Sequence, residues 1–255
     1  MLKVGMFDSG IGGLFTLCEL RRVCDCNVVY LADSKNLPYG NKNRAELISI
    51  LSGVFGFFLQ EQIDVLIAAC NTSAVVLLEE TSIVPDCAQF KVLNVLEPAV
   101  KKTKMFKEVG ILATPYTSQS YIYEKLVMCQ NPKCRVYSVS SLLLVPLIES
   151  GAELSKIKEV LFSHLKQFPK QMEAIVLGCT HYSFLAPCVF DFFCGKVTVI
   201  DSATAIFSEW DISREVCGSF TTEFFVTGDV NQFVNGGLKL CDLDFGNVRQ
   251  VSLRG

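Results

Sequence analysis

Eight short apolar runs, most of them rich in β-branched residues, are separated by longer stretches whose apolar residues recur at helical spacing. The runs fall at residues 2–7, 28–32, 65–69, 91–95, 108–113, 135–139, 174–177 and 197–200. Short runs of this kind mark strands. The stretches between them, such as 44–60, 118–129 and 154–168, have the length and pattern of helices. A parallel strand pair needs a crossover long enough to hold a helix, so strand then helix, repeated, predicts an α/β fold with mostly parallel sheets.

The rhythm is also doubled. KVGMFDSG near residue 5 is echoed by EVGILATP near residue 110, NVVYLADS by RVYSVSS, and DVLIAACNT by EAIVLGCTH, at offsets of 105, 107 and 109 residues. Three echoes in one order predict two pseudo-symmetric α/β domains with the active site in the cleft between them. The first spans residues 1–95 and is completed by the tail 206–255; the second spans 96–205. No Pro/Gly/Ser-rich linker marks the join, so the halves are expected to pack tightly.

A chain of 255 residues, half of them hydrophobic and 19% charged, can bury such cores and does not have the composition of a disordered chain. A net charge of −3 and a single short basic cluster, Lys101-Lys102-Thr103-Lys104, argue against a nucleic-acid or membrane surface. The cluster reads as a solvated helix end. The greasy segment 48–59 falls short of the ~18 residues of a membrane span and reads as a buried helix. With no signal-peptide h-region at the N-terminus, the expected location is the cytoplasm. The 12 cysteines lie mostly in or beside apolar segments, without a Cys-x-x-Cys pair, and His164 and His181 are the only histidines. Reduced thiols and no metal site are the expectation.

In open α/β sheets ligands bind beyond the carboxyl ends of the strands. Cys70 and Cys179 both fall there, each at a strand-to-helix handover and each followed by Thr within two residues. A single cysteine ending an apolar run is usually a small buried hydrophobe. Two at matching positions, one in each half, point instead to a pair of similar bases on opposite faces of one small ligand. A free thiol has a pKa of roughly 8.5 and needs a helix N-terminus, a cation or an acid-base neighbour to work as a base. His181 is placed to serve Cys179, and Asp8, ending the first strand, to serve Cys70.

Two polar loops complete the first half. DSGIGG at 8–13 is a strand followed by a glycine-rich turn, which is either a plain tight turn or a cradle of N–H groups and the Ser9 hydroxyl for a carboxylate or phosphate. Asp33 follows Gly13 at the distance of a dinucleotide-binding acid, but Phe15 stands at the third-glycine position and Asp8 would repel a pyrophosphate. ADSKNLPYGNK at 32–42 is stiffened by Pro38, and Gly40 lets its backbone approach a ligand; it reads as a third wall.

These residues together resemble one family. Asp8-Ser9-Gly10 with Gly12-Gly13, Pro38-Tyr39-Gly40, Ala69-Cys70-Asn71-Thr72, VPLIESG at 145–151, Gly178-Cys179-Thr180-His181-Tyr182 and DSATA at 201–205 occur in the order found in glutamate racemases. The resemblance runs from end to end. It implies cofactor-independent interconversion of L- and D-glutamate, supply of D-glutamate for peptidoglycan, two pseudo-symmetric domains and a homodimer. It further implies that Cys70 and Cys179 are the acid-base thiols, Asp8 supporting the first, His181 with Glu149 the second. Ser9, Tyr39, Gly40, Asn71, Thr72 and Thr180, with Asp8 and His181, would contact substrate, and Thr114 and Thr117 would line the pocket. Without the resemblance, Glu149 reads as an exposed helix-end acid.

Two places depart from the family's usual pattern. Ser73-Ala74 stands where Ala then Ser or Thr is commoner, and Ser183 replaces a common proline. Both lie just outside the expected contacts. Two other functions fit the same residues: racemisation of aspartate by the same paired-thiol logic, and a non-catalytic module that binds an acidic metabolite.

Overall fold

The structure is a computed structural model that describes residues 2–208 and 221–253. Residues 209–220 and 254–255 of the tail expected to return to the first half lie outside the described residues. The chain begins β1 (Lys3–Asp8), α1 (Gly13–Val23), β2 (Asn27–Ala32), α2 (Arg44–Gln60), β3 (Val65–Ala68), α3 (Asn71–Glu79), β4 (Lys91–Asn94) and α4 (Leu96–Lys101). It continues with β5 (Glu108–Ala113), α5 (Pro115–Gln119), α6 (Ile122–Gln130), β6 (Arg135–Ser140), α7 (Leu144–Glu149) and α8 (Leu154–Leu165). Then come β7 (Ala174–Gly178), α9 (Ala186–Phe192), β8 (Thr198–Asp201), α10 (Ser202–Ala205), β9 (Thr222–Val226), α11 (Val230–Leu240) and β10 (Val248–Gln250).

The strands form a six-stranded sheet ordered β10-β9-β2-β1-β3-β4 and a four-stranded sheet ordered β6-β5-β7-β8. Every pairing among the described strands is parallel. The order β2-β1-β3-β4 recurs as β6-β5-β7-β8, so the echo in the sequence is a repeat of topology. β9 and β10 were not among the strand candidates. They extend the first sheet beyond β2, where Tyr30 pairs with Phe224 and Leu31 with Phe225.

Alternation along each strand divides the first core in two. Val4 and Met6 face α1 and α11, packing with Leu14, Leu17 and Phe233, whereas Phe7 faces α2 and packs with Leu51, Val54 and Phe58. α2 begins at a capping box in which Asn43 accepts the Glu46 N–H at 3.0 Å and Glu46 accepts the Asn43 N–H at 2.8 Å. Full burial of one such leucine or phenylalanine contributes about 1.5–3 kcal/mol, so the helix is held chiefly by its apolar face. The expected greasy segment lies in this helix, and no helix among the described residues is long and apolar enough to cross a membrane. Lys101, Lys102 and Lys104 are exposed at the end of α4, where positive charge complements the helix dipole.

The helix expected at 118–129 is broken. α5 ends at Gln119 and α6 starts at Ile122, because Tyr121 takes φ 55° and the Ser120 hydroxyl accepts the Ile122 N–H at 3.3 Å while donating to the Thr117 carbonyl at 2.7 Å. Such local bonds compete with the helical ladder. The two halves share one core region: Ala74 and Val75 of α3 pack with Val109, Ile111, Ala113 and Val176 of the second sheet. Their tight packing follows directly.

Candidate active site

β3 and β7 occupy equivalent places in their sheets, and each hands over to a cysteine in extended conformation. Cys70 caps α3, and Cys179 caps a short helical turn at Thr180–Leu185. Both thiols line one cavity of about 10 Å³, walled from the first half by Ser9, Pro38, Tyr39, Gly40, Asn71 and Thr72 and from the second by Thr114, Val145, Thr180 and His181. That volume holds no more than about one water molecule, so the structure is closed around the site.

Three predicted residues stand behind this wall. Asp8 is fully buried; its Oδ1 accepts the Gly10 N–H at 2.9 Å and its Oδ2 the Thr180 hydroxyl at 3.0 Å. Thr117 hydrogen-bonds Thr114 at 3.1 Å, within a cluster that Thr72 joins, its hydroxyl 3.1 Å from that of Thr114. Glu149 is not an exposed helix-end acid: its side chain is only 9% exposed, and its Oε1 lies 2.6 Å from His181 Nε2. α7 stops just after it in a Schellman arrangement, with Gly151 at φ 63° and the N–H groups of Gly151 and Ala152 bonding the carbonyls of Ile148 and Leu147 at 3.0 Å.

The DSGIGG turn cradles the protein's own carboxylates. Gly10 N–H goes to Asp8, and Ile11 N–H donates to Glu149 Oε1 at 2.9 Å. Glycine is required because the second half packs directly on this turn. A Cβ at Gly10 would overlap the Glu149 carboxylate, and one at Gly12 would stand 2.5 Å from His181 Nδ1. Likewise Asp33 serves no nucleotide: it is a buried acceptor for Tyr39 and Thr227, both at 2.6 Å, and for Asn36 at 2.9 Å. Tyr39 therefore offers its ring, not its hydroxyl, to the cavity. The Asn71 side chain is likewise engaged, donating to Ser202 at 2.8 Å and accepting from Tyr123 at 2.6 Å.

The two thiols have different neighbours. Cys179 Sγ lies 3.8 Å from His181 Nδ1. Burial opposes the imidazolium, but hydrogen bonds to Cys179 and Glu149 hold the His181 pKa well above the usual histidine range. Cys70 has Ser9 Oγ at 4.0 Å, and burial, with the Asp8 charge second, pushes its thiol up to about 12. Asp8 is itself raised, by burial first and in spite of His181, Gly10 and Thr180. Pro38 and Val145 are the wall residues that sequence reasoning missed; both stood inside quoted motifs, but an apolar side chain gives no chemical signal of its own.

Two thiols thus line one closed cavity from equivalent positions in two repeated parallel sheets, a fold shared by a class of amino-acid racemases. The chain belongs to the Asp/Glu/hydantoin racemase family, whose model matches residues 18–209. Among its relatives is a glutamate racemase of Gloeobacter violaceus, 31% identical over 99% of this chain and 97% of that one. The glutamate racemase of Thermus thermophilus, solved in complex with β-chloro-D-alanine, matches with a TM-score of 0.87 at 30% identity, covering 99% and 97% of the two chains. That of Francisella tularensis, solved with D-glutamate, gives 0.88 at 26% identity over 98% and 97%.

Proposed function

We propose that this chain is a glutamate racemase that inverts Cα by two-thiol proton transfer. The supporting observation is that Cys70 and Cys179, one from each half, line a single cavity. One sulfur, as thiolate, takes the α-proton and leaves the bonding pair on Cα. The other, as thiol, delivers its proton to the opposite face. The reaction leaves the protonation of the pair exchanged, ready for the other enantiomer. His181, tied to Glu149, takes or returns the proton of Cys179; Asp8 acts across the same site.

The carbanion-like transition state carries its charge towards the α-carboxylate. Free N–H groups at the start of α3, with the Ser9 hydroxyl, are the donors we assign to it. Thr72 and Thr180, whose hydroxyls are engaged with Thr114 and Asp8, meet the substrate as pocket walls. Asn71 contributes through its backbone, since Ser202 and Tyr123 hold its amide. Tyr39, Gly40 and Thr114 enclose the rest of the substrate, with Thr117 setting the Thr114 hydroxyl. The halves must part to admit glutamate and close to exclude water.

We further assign residues 1–95 with 206–255 and residues 96–205 as the two domains, a homodimer as the working form, the cytoplasm as the location, and provision of D-glutamate for peptidoglycan as the role. Cys70→Ala and Cys179→Ala should each abolish racemisation while retaining the wild-type circular dichroism. Incubation with L-glutamate in D2O reads this directly, by deuterium incorporation at Cα and loss of optical rotation. Near-normal turnover in either variant overturns the scheme, and binding without exchange in the wild type makes the protein a binder.

A further inference from the structure

Cys179 has an imidazole two residues on, whereas the residue two after Cys70 is Thr72, whose hydroxyl is already shared with Thr114 and Thr117. Burial, and then the charge of Asp8, both oppose a thiolate at Cys70. What offsets this lies one helical turn along. Cys70 is the N-cap of α3, so Ser73 is its third residue, the position whose backbone N–H has no carbonyl within the helix, and the Cys70 side chain makes no cap hydrogen bond. The Ser73 side chain is fully buried, and its hydroxyl has no hydrogen-bond partner among the described residues. An unmet buried hydroxyl is costly and calls for an explanation.

We infer that Ser73 is the donor that stabilises the Cys70 thiolate, with its hydroxyl left unmatched in the resting thiol and satisfied when the sulfur takes charge. This rests on the reading of Cys70 as one of the two bases. The electrostatics agree with the geometry: the Ser73 N–H and then its hydroxyl lower the Cys70 pKa, against burial, Asp8 and Cys179, which raise it. Tyr39, the other titratable group facing this thiol, is itself held un-ionised by burial and Asp33.

Ser73→Ala removes only the hydroxyl and introduces a better helix former. The test is the rate of Cys70 alkylation by iodoacetamide between about pH 7.5 and 9.5, where rate follows thiolate fraction, with Cys179 on its own peptide as internal control. Ser73→Ala should slow Cys70 by about threefold or more at every pH, a modest value for a hydrogen bond to a charged group. It should leave Cys179 unchanged and lower kcat with little change in KM. Ser73→Thr, which restores a hydroxyl, should recover the rate. Where Cys70 resists alkylation, thiolate absorbance of the wild type minus Cys70→Ala gives the same comparison in each background. Coincident curves, or equal slowing of both cysteines, overturn the inference. Turnover surviving in Cys70→Ala overturns instead the two-thiol reading and leaves the Ser73 comparison standing.

Discussion

At the residue scale, burial holds one carboxylate of the site, Asp8, where its charge is disfavoured. Asp8 is buried with a raised pKa, so its folded form binds a proton more tightly than the unfolded chain. Stability is then greatest below the unfolded value of 3.8 and falls as pH rises towards and through the folded pKa, so ionisation of Asp8 counts against the fold at neutral pH. Asp8→Asn should therefore raise the melting temperature at pH 7, by about 2–4 °C per kcal/mol recovered, while lowering kcat. A fall in melting temperature with activity retained would contradict both halves of this argument. His181 has the same sign with a different consequence. Its imidazolium, held by Cys179 and Glu149, adds stability that is complete below the ordinary value of 6.5 and is lost as pH rises through the raised folded value. Melting curves of wild type and Glu149→Gln should thus differ most at or below pH 6.5 and converge on the alkaline side; a constant gap would show that the pair is not titrating.

At the element scale, short elements end where the site needs them to. α7 is stopped after Glu149 by Gly151 in a left-handed conformation. Gly151→Ala should cost about 1–2 kcal/mol, from the left-handed backbone alone, and reduce turnover because Glu149 sits on the last turn; denaturant unfolding and a kinetic assay check both. α3 is gripped from the other half. Tyr123→Phe leaves the Asn71 Oδ1 without its 2.6 Å donor and should cost about 1–3 kcal/mol. An unchanged unfolding midpoint would mean that water replaces the hydroxyl.

At the scale of the whole molecule, a set of polar contacts ties the two repeats together across the site. Thr180 bonds Asp8, Ile11 bonds Glu149, Thr72 meets Thr114, and Asn71 meets both Ser202 and Tyr123. Together with the apolar contact of α3 on the second sheet, these make the closed cleft a property of both halves at once. Substrate exchange must break this set, so hydrogen exchange at the amides of Ile11 and Asn71 should quicken without substrate and slow when glutamate is bound. Equal protection in both states would place the entry route elsewhere.

What the sequence determined by itself is whatever is local: eight strands from apolar runs, the repeat from their order, and two cysteines at matching handovers. Period and propensity act over a few residues and can be read directly. β9 and β10 escaped because their place is set by the free edge of β2 and not by their own pattern. The break at Tyr121 escaped because one serine hydroxyl outbid the helix. Only the tertiary structure turned Glu149 inward and set its carboxylate against the glycine turn. Each depends on which residue of the other repeat comes to rest against it, a contact between positions far apart along the chain that no short-range pattern can encode.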